Sequence, residues 1–165
     1  MKQLLVMRHA KSSRDHPGLQ DVERPLNKRG EQDGPRMGTL LKTKKLIPQL
    51  ILSSTAVRAR RTAEIMAYAC GYNGKIHGLD AFYEAGPADY IQELRRVDDR
   101  IHSVMIIGHN PGLESLLEQL CGDEQRLPTA AIACLGLPID RWEDLSLKTP
   151  TQLQHLWRPK EIWKD

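Results

Sequence analysis

Gln3-Leu4-Leu5-Val6-Met7-Arg8-His9-Ala10-Lys11-Ser12-Ser13 is the stretch on which the fold turns. Gln3 to Met7 is a short apolar run of strand length. It stops abruptly at Arg8-His9, and Lys11 to His16 is polar and reads as a loop. An unbroken apolar run suits a strand buried on both faces, and such a strand delivers Arg8 and His9 to its C-terminal end.

Outward from that point, the same order of parts recurs. Leu50-Ile51-Leu52 halts at Ser53-Ser54-Thr55, good N-cap residues, before an Ala-rich helical stretch that runs to about Ala69 and is closed by Gly71. Ser103 to Ile107 is a third apolar run. It is ended by Gly108-His109-Asn110-Pro111 and followed by Leu113, Leu116, Leu117 and Leu120 at helical spacing. Strands alternating with helices imply an α/β fold, a mainly parallel sheet flanked by helices on both faces. Between these units, Asn27 to about Lys42 has helix-compatible content. It also carries Gly30, Gly34, Pro35 and Gly38, so propensity predicts a kinked or late-starting helix. Ala88 to Val97 reads as a short helix with Tyr90, Ile91 and Leu94 on one side. After Pro128 the texture changes: Ala130 to Leu137 and Leu153 to Trp157 read as strands without long helices between them, a late antiparallel addition.

At 165 residues, the chain fits one domain, 1–165, with a real core. A content of 40% hydrophobic and 27% charged residues is that of an ordinary soluble protein. No apolar run approaches the roughly 18 residues of a membrane span. Met1-Lys2-Gln3 leads straight into an apolar run interrupted by Arg8, which is too short for a signal peptide, so the expected compartment is the cytoplasm. Cys70, Cys121 and Cys134 have no metal-ligand spacing and read as buried free thiols. The net charge of +3 suits an anionic ligand and falls far below the excess of a dedicated nucleic-acid binder.

In open α/β sheets, ligands collect at the carboxyl ends of the strands. Here those ends carry Arg8-His9, Ser53-Ser54 leading to Arg58, and Gly108-His109. One histidine after one strand says little; two at the same sheet edge, each in polar company, point to chemistry. Arg58 lies in the first turn or so of its helix, where the macrodipole disfavours a cation by roughly 0.3–1 kcal/mol unless an anion offsets it. A bound phosphate would be such an anion. The helical wheel turns Arg60 to solvent and leaves Arg61 at the margin, so both read as surface charges. Two arginines and two histidines without a carboxylate cluster suit phosphoryl transfer. Arg8 and Arg58 can fork phosphate oxygens, His109 can donate a further hydrogen bond, and His9 can attack phosphorus through a neutral ring nitrogen. Zinc held by His9 and His109 would lack a third and fourth ligand near either motif. His16, His77, His102 and His155 are scattered and read as ordinary loop or surface residues.

Leu5-Val6-Met7-Arg8-His9-Ala10-Lys11-Ser12-Ser13, Arg24-Pro25-Leu26, Arg29-Gly30, Ser53-Ser54 with Arg58-Ala59 and Thr62-Ala63-Glu64, and Gly108-His109-Asn110-Pro111-Gly112 together resemble the histidine phosphatase superfamily. Within it the pattern is similar to the short SixA-type phosphohistidine phosphatases. It covers residue 4 to about 120, with a weaker echo in Ala130 to Leu137 and Trp157-Arg158-Pro159-Lys160. The resemblance implies a phosphoglycerate mutase-like fold in which Arg8, His9, Arg58 and His109 form a phosphate pocket. His9 would be the phosphorylated nucleophile, and water would hydrolyse the phosphoenzyme with no cofactor and no metal. The backbone N–H groups of the Ala10 to Ser13 loop, with Ser12, would add phosphate contacts. Relatives carry an acidic residue in mid-chain, and Glu84 of Tyr83-Glu84-Ala85 is the corresponding residue, either as proton donor to the leaving group or as a positioning residue. Asp15 and Asp21 belong to a polar loop expected to rim the site.

The short chain leaves little room for insertions that would lid the pocket, so the implied substrate is a phosphorylated protein, with phosphohistidine on a histidine-containing phosphotransfer domain as the leading case. A small-molecule phosphomonoesterase or a mutase is the nearest alternative. A non-catalytic phosphate or phosphopeptide-binding module is the alternative from another class, against which His9 stands. Nucleic-acid binding through Lys42, Lys44, Lys45 and Arg58 to Arg61 is disfavoured, since none of the eight aromatic residues interleaves with those basic segments.

Overall fold

The computed structural model describes residues 1–164 and places one six-stranded sheet between two layers of helices. In chain order the elements are β1 (Lys2–Arg8), α1 (Lys28–Thr43), β2 (Leu50–Ser54), α2 (Val57–Cys70), β3 (Ile76–Leu79), α3 (Pro87–Leu94), β4 (Ser103–Gly108), α4 (Gly112–Cys121), β5 (Ile132–Leu137), β6 (Gln152–Trp157) and α5 (Pro159–Ile162). The strand order is β3-β2-β4-β1-β5-β6. β1, β2, β3 and β4 run parallel, while β5 pairs antiparallel with β1, and β6 with β5. The late antiparallel addition expected after Pro128 is therefore present.

Alternation along the central strands divides the core. Leu5, Met7, Ile51, Met105 and Ile107 face one way, onto Met37 and Leu41 of α1 and Ala59, Ala63, Met66 and Cys70 of α2. Leu4, Val6, Leu52, Val104 and Ile106 face the other way, onto Tyr90, Ile91 and Leu94 of α3 and Leu113, Leu116, Leu117 and Leu120 of α4. Since successive side chains of a strand point to opposite faces, a run that is apolar at every position needs both layers. Among the described residues no helix is long and apolar enough to cross a membrane.

Several boundaries differ from the sequence reading. Ser53 and Ser54 belong to β2, and the N-cap of α2 is Ala56, with no side-chain cap. Ser54 Oγ still accepts from the Ala56 N–H at 3.1 Å. Gly71 closes α2 in the left-handed region, φ 82°, as expected. α1 is neither late-starting nor broken: Asn27 caps it through Gly30 N at 2.9 Å, and the α-helix continues through Pro35. Its glycines recur every fourth residue, on one face, and that face is crowded. A Cβ on Gly38 would lie 2.3 Å from the Met66 carbonyl oxygen, and one on Gly30 2.2 Å from the Lys11 carbonyl oxygen. Close approach to α2 and to the His9 loop, rather than chain breaking, explains them. α3 begins at Pro87 and ends at Leu94, short of Val97. β3 has no counterpart in the sequence reading and places His77 in a strand, where it is exposed; His155 is exposed too, in the strand expected over Leu153 to Trp157, its ring stacked on Trp157 at 4.8 Å.

Candidate active site

The C-terminal ends of β1 and β4 lie side by side, with Arg8 in register with Gly108 and the His9 N–H donating to the Gly108 carbonyl at 3.1 Å. This brings the His9 and His109 rings to 5.1 Å between centroids, tilted by 53°. β2 ends beside them and α2 begins, placing Arg58 in the first turn. The four residues converge on one cavity of about 450 Å³, whose wall also includes Ser12, Asp21, Arg24 and Asn110.

His9 is buried, and its Nδ1 lies 2.7 Å from the Ala10 carbonyl oxygen. A carbonyl has no proton to give, so Nδ1–H is the donor, and in the neutral ring Nε2 carries the lone pair. Burial, then the nearby His109, Arg58 and Arg8, lower the His9 pKa to about 3. Burial and then Arg58 lower that of His109 to about 4, Asp21 opposing. Both rings are therefore neutral at pH 7. His109 Nε2 lies 2.8 Å from Ser54 Oγ, its backbone N–H donates to Tyr90 Oη at 3.3 Å, and its Nδ1 is buried without a partner.

The arginines are held by the protein yet keep donors to spare. Arg58 donates to the Asp21 carbonyl at 2.7 Å and to its carboxylate at 3.0 Å. Tyr83 Oη donates to the same carboxylate at 2.6 Å. That hydrogen bond, then Arg58, holds the Asp21 pKa at about 2. The anion that the sequence asks for at the start of α2 is thus supplied within the chain by Asp21, which does more than rim the site. Arg8 Nη1 reaches the Leu127 carbonyl at 3.5 Å, with Asn110 Nδ2 on the same oxygen at 2.8 Å and the Leu127 N–H on Glu114 at 2.7 Å. Arg24 donates to Ser12 Oγ. The Nε atoms of Arg8, Arg24 and Arg58 are buried and unpaired. Buried donors without acceptors are costly, about 1–3 kcal/mol each, and a tetrahedral oxyanion has the acceptors to satisfy them.

Ser12 stands in the cavity wall. The Ala10–Ser13 loop contributes less than expected, because the Ala10 N–H is committed to Thr62 Oγ1 at 2.9 Å and the Ser13 N–H to the Pro25 carbonyl at 2.8 Å. Glu84 is exposed and lies beside the cavity rather than in it, lining a neighbouring space of about 490 Å³ together with Arg58, Tyr83 and His109. Arg60 is exposed as expected; Arg61 is exposed too but ties α2 to Glu31 of α1 at 3.0 Å. Arg24, Ser54 and Tyr83 had no site role of their own in the sequence reading, and Asp21 only that of rimming the site. The Arg24-Pro25-Leu26 and Ser53-Ser54 motifs were the available signals for two of them. Among the described residues, no group of three or more His, Cys, Asp or Glu side chains is placed to hold a metal ion.

This sheet edge and cavity are those of an α/β phosphatase. Residues 4–96 match the family described as Histidine phosphatase superfamily (branch 1), and the chain belongs to that superfamily. Its particular likeness is to SixA proteins. A structure assigned as phosphohistidine phosphatase SixA from Agrobacterium tumefaciens has 28% identity and a TM-score of 0.82, covering 96% of this chain and 98% of that one. The phosphohistidine phosphatase SixA of Escherichia coli is 28% identical over 141 residues, 82% of this chain and 85% of the relative. An uncharacterised chloroplastic protein of Arabidopsis thaliana is 34% identical over 152 residues, 87% of this chain and 70% of that one.

Proposed function

We propose that the protein is a metal-independent phosphohistidine phosphatase that hydrolyses a phosphoprotein through a covalent phospho-His9 intermediate. The observation that carries this reading is the His9 ring itself, neutral and with Nδ1–H given to Ala10, in a cavity whose arginines retain buried, unpaired donors. Arg8, Arg58 and Arg24 bind the phosphate oxygens, with Ser12 at the wall and His109 Nδ1 as a further donor in the corresponding tautomer. The Nε2 lone pair attacks phosphorus, forming an N–P bond as the bond to the leaving group breaks, and Glu84 gives the leaving group its proton. Water then attacks the phosphorus of phospho-His9, the N–P bond breaks, and inorganic phosphate leaves a neutral imidazole and a recharged Glu84. The phosphohistidine phosphatase name of the relatives supports phosphohistidine as the substrate, and the proposed partner is a histidine-containing phosphotransfer domain. The proposed compartment is the cytoplasm, which suits three free cysteines.

The test measures phosphate release in EDTA from p-nitrophenyl phosphate and from a histidine-phosphorylated protein. Wild type should turn over both and favour the phosphohistidine. His9→Ala should lose at least about 10³-fold and Arg58→Ala about 10²–10³-fold, both remaining folded. Full activity in His9→Ala would overturn the covalent mechanism, and faster turnover of the small ester would move the reading to a phosphomonoesterase.

A further inference from the structure

The charge around the cavity is more lopsided than that of the chain. Two more cavities, of about 480 and 520 Å³, adjoin the His9 cavity and share Arg8 with it. Together the three walls carry nine lysines and arginines against four aspartates and glutamates. The whole chain is only +3. A local excess of +5 therefore leaves the remaining surface net negative, so the positive potential belongs to this face.

Some of these cations are neutralised in place, Arg24 by Asp21 and Arg158 by Glu161. Lys11, Arg14, Arg126 and Lys160 are exposed, and no carboxylate among the described residues pairs with any of them. They come from the loop after β1, the segment before β5 and the start of α5, and form an arc that runs from the His9 cavity, lined by Lys11 and Arg14, into the two adjoining cavities, lined by Lys160 and Arg126. The arc is one-sided: toward the cavity at Tyr83, the charge added is Glu84.

We infer that this arc is a docking surface for an acidic protein segment flanking the phosphorylated residue, lying across Lys11, Arg14, Arg126 and Lys160. The inference rests on the phosphoprotein reading and adds the chemistry of the partner. Phosphate binding is already served by Arg8, Arg24 and Arg58; Lys11 and Arg14 stand at the rim of that cavity, and Arg126 and Lys160, which lie outside it, act on what surrounds the phosphate. Their effect is steering and orientation, which scale with partner charge and are screened by salt. A nucleic acid is the other polyanion, but the cavity at the centre of the arc offers no Trp, Tyr or Phe among its lining residues for a base to stack on.

The experiment compares kcat/KM for histidine-phosphorylated peptides with glutamate or lysine flanks, on wild type and on Arg126→Glu/Lys160→Glu. Neither substituted residue lines the His9 cavity, so p-nitrophenyl phosphate turnover should be unchanged. The acidic peptide should be favoured by about tenfold or more at about 0.02 M salt, and the preference should collapse by about 0.5 M and in the variant. Equal rates at low salt, with both peptides hydrolysed, would overturn the proposal. Fluorescence anisotropy of the same peptides without phosphate separates the two readings. If no phosphohistidine is hydrolysed but the acidic peptide still binds wild type selectively over the variant, the docking surface stands and the phosphohistidine assignment falls. Oligonucleotide binding stronger than that of the acidic peptide would also overturn it.

Discussion

Around His9, burial and charge act in the same direction. Taking an imidazole out of water disfavours its cation, and neighbouring guanidiniums disfavour it again, so a nucleophile sits uncharged within a cluster of positive charge. Long-range ¹H–¹⁵N spectra of the ligand-free protein at pH 5.5 should show both His9 and His109 neutral, with His9 protonated at Nδ1; a charged ring at that pH would contradict the site electrostatics. Glu84 occupies the left-handed region, φ 56°, which costs a non-glycine residue of order 1 kcal/mol. Its surroundings hold it there: Tyr83 is tied to Asp21, and Gly112 packs so closely that a Cβ on it would lie 2.0 Å from the Ala85 carbonyl oxygen. If Glu84 gives up a proton, Glu84→Gln should slow phosphohistidine and alkyl phosphate turnover by about 10²-fold. It should spare p-nitrophenyl phosphate, whose leaving group needs no proton; equal loss on both would indicate positioning. Arg8, His9 and His109 were legible in the sequence because they end or follow apolar strands, and Arg58 because it stands in the first turn of the helix after one. Asp21 and Tyr83 were not, since their roles arise only when distant loops meet over Arg58.

At the level of elements, α1 shows how packing overrides propensity. Gly30, Gly34 and Gly38 are poor helix formers, yet their spacing puts the smallest side chains where α1 meets α2 and the His9 loop. Gly38→Val would drive its Cβ into the Met66 backbone, which cannot rotate away, and should destabilise the protein by about 3 kcal/mol, seen as a lower urea midpoint. Gly18→Ala, with nothing within 4 Å of the added atom, is the matched control and should leave the midpoint nearly unchanged. β3 was illegible for the converse reason. Ile-His-Gly-Leu has little apolar alternation, and it is a strand because Ile51 to Ser54 of β2 offers it an edge.

For the whole molecule, two histidines folded in their neutral form link stability to pH. Their pKa values in the fold, about 3 and about 4, lie below the ordinary 6.5, so between those limits the unfolded chain binds more protons. Stability contributed this way is present above pH 6.5 and is lost as pH falls toward 4, with a slope of up to about 1.4 kcal/mol per pH unit for each ring. Urea unfolding at pH 7, 6, 5 and 4.5 should show that decline, and His9→Gln/His109→Gln should flatten it; a level wild-type profile would refute the linkage. The sequence by itself determined the α/β alternation, the strands that end in Arg8-His9 and Gly108-His109, and the helix that starts beside Arg58. These follow from local periodicity, which is written in consecutive residues. Only the tertiary structure decided that Asp21 clamps Arg58 and Tyr83, that Glu84 borders the cavity from outside, that β3 completes the sheet, and that positive charge gathers on one face. Those depend on which residues of distant loops become neighbours, and chain order carries no direct record of that.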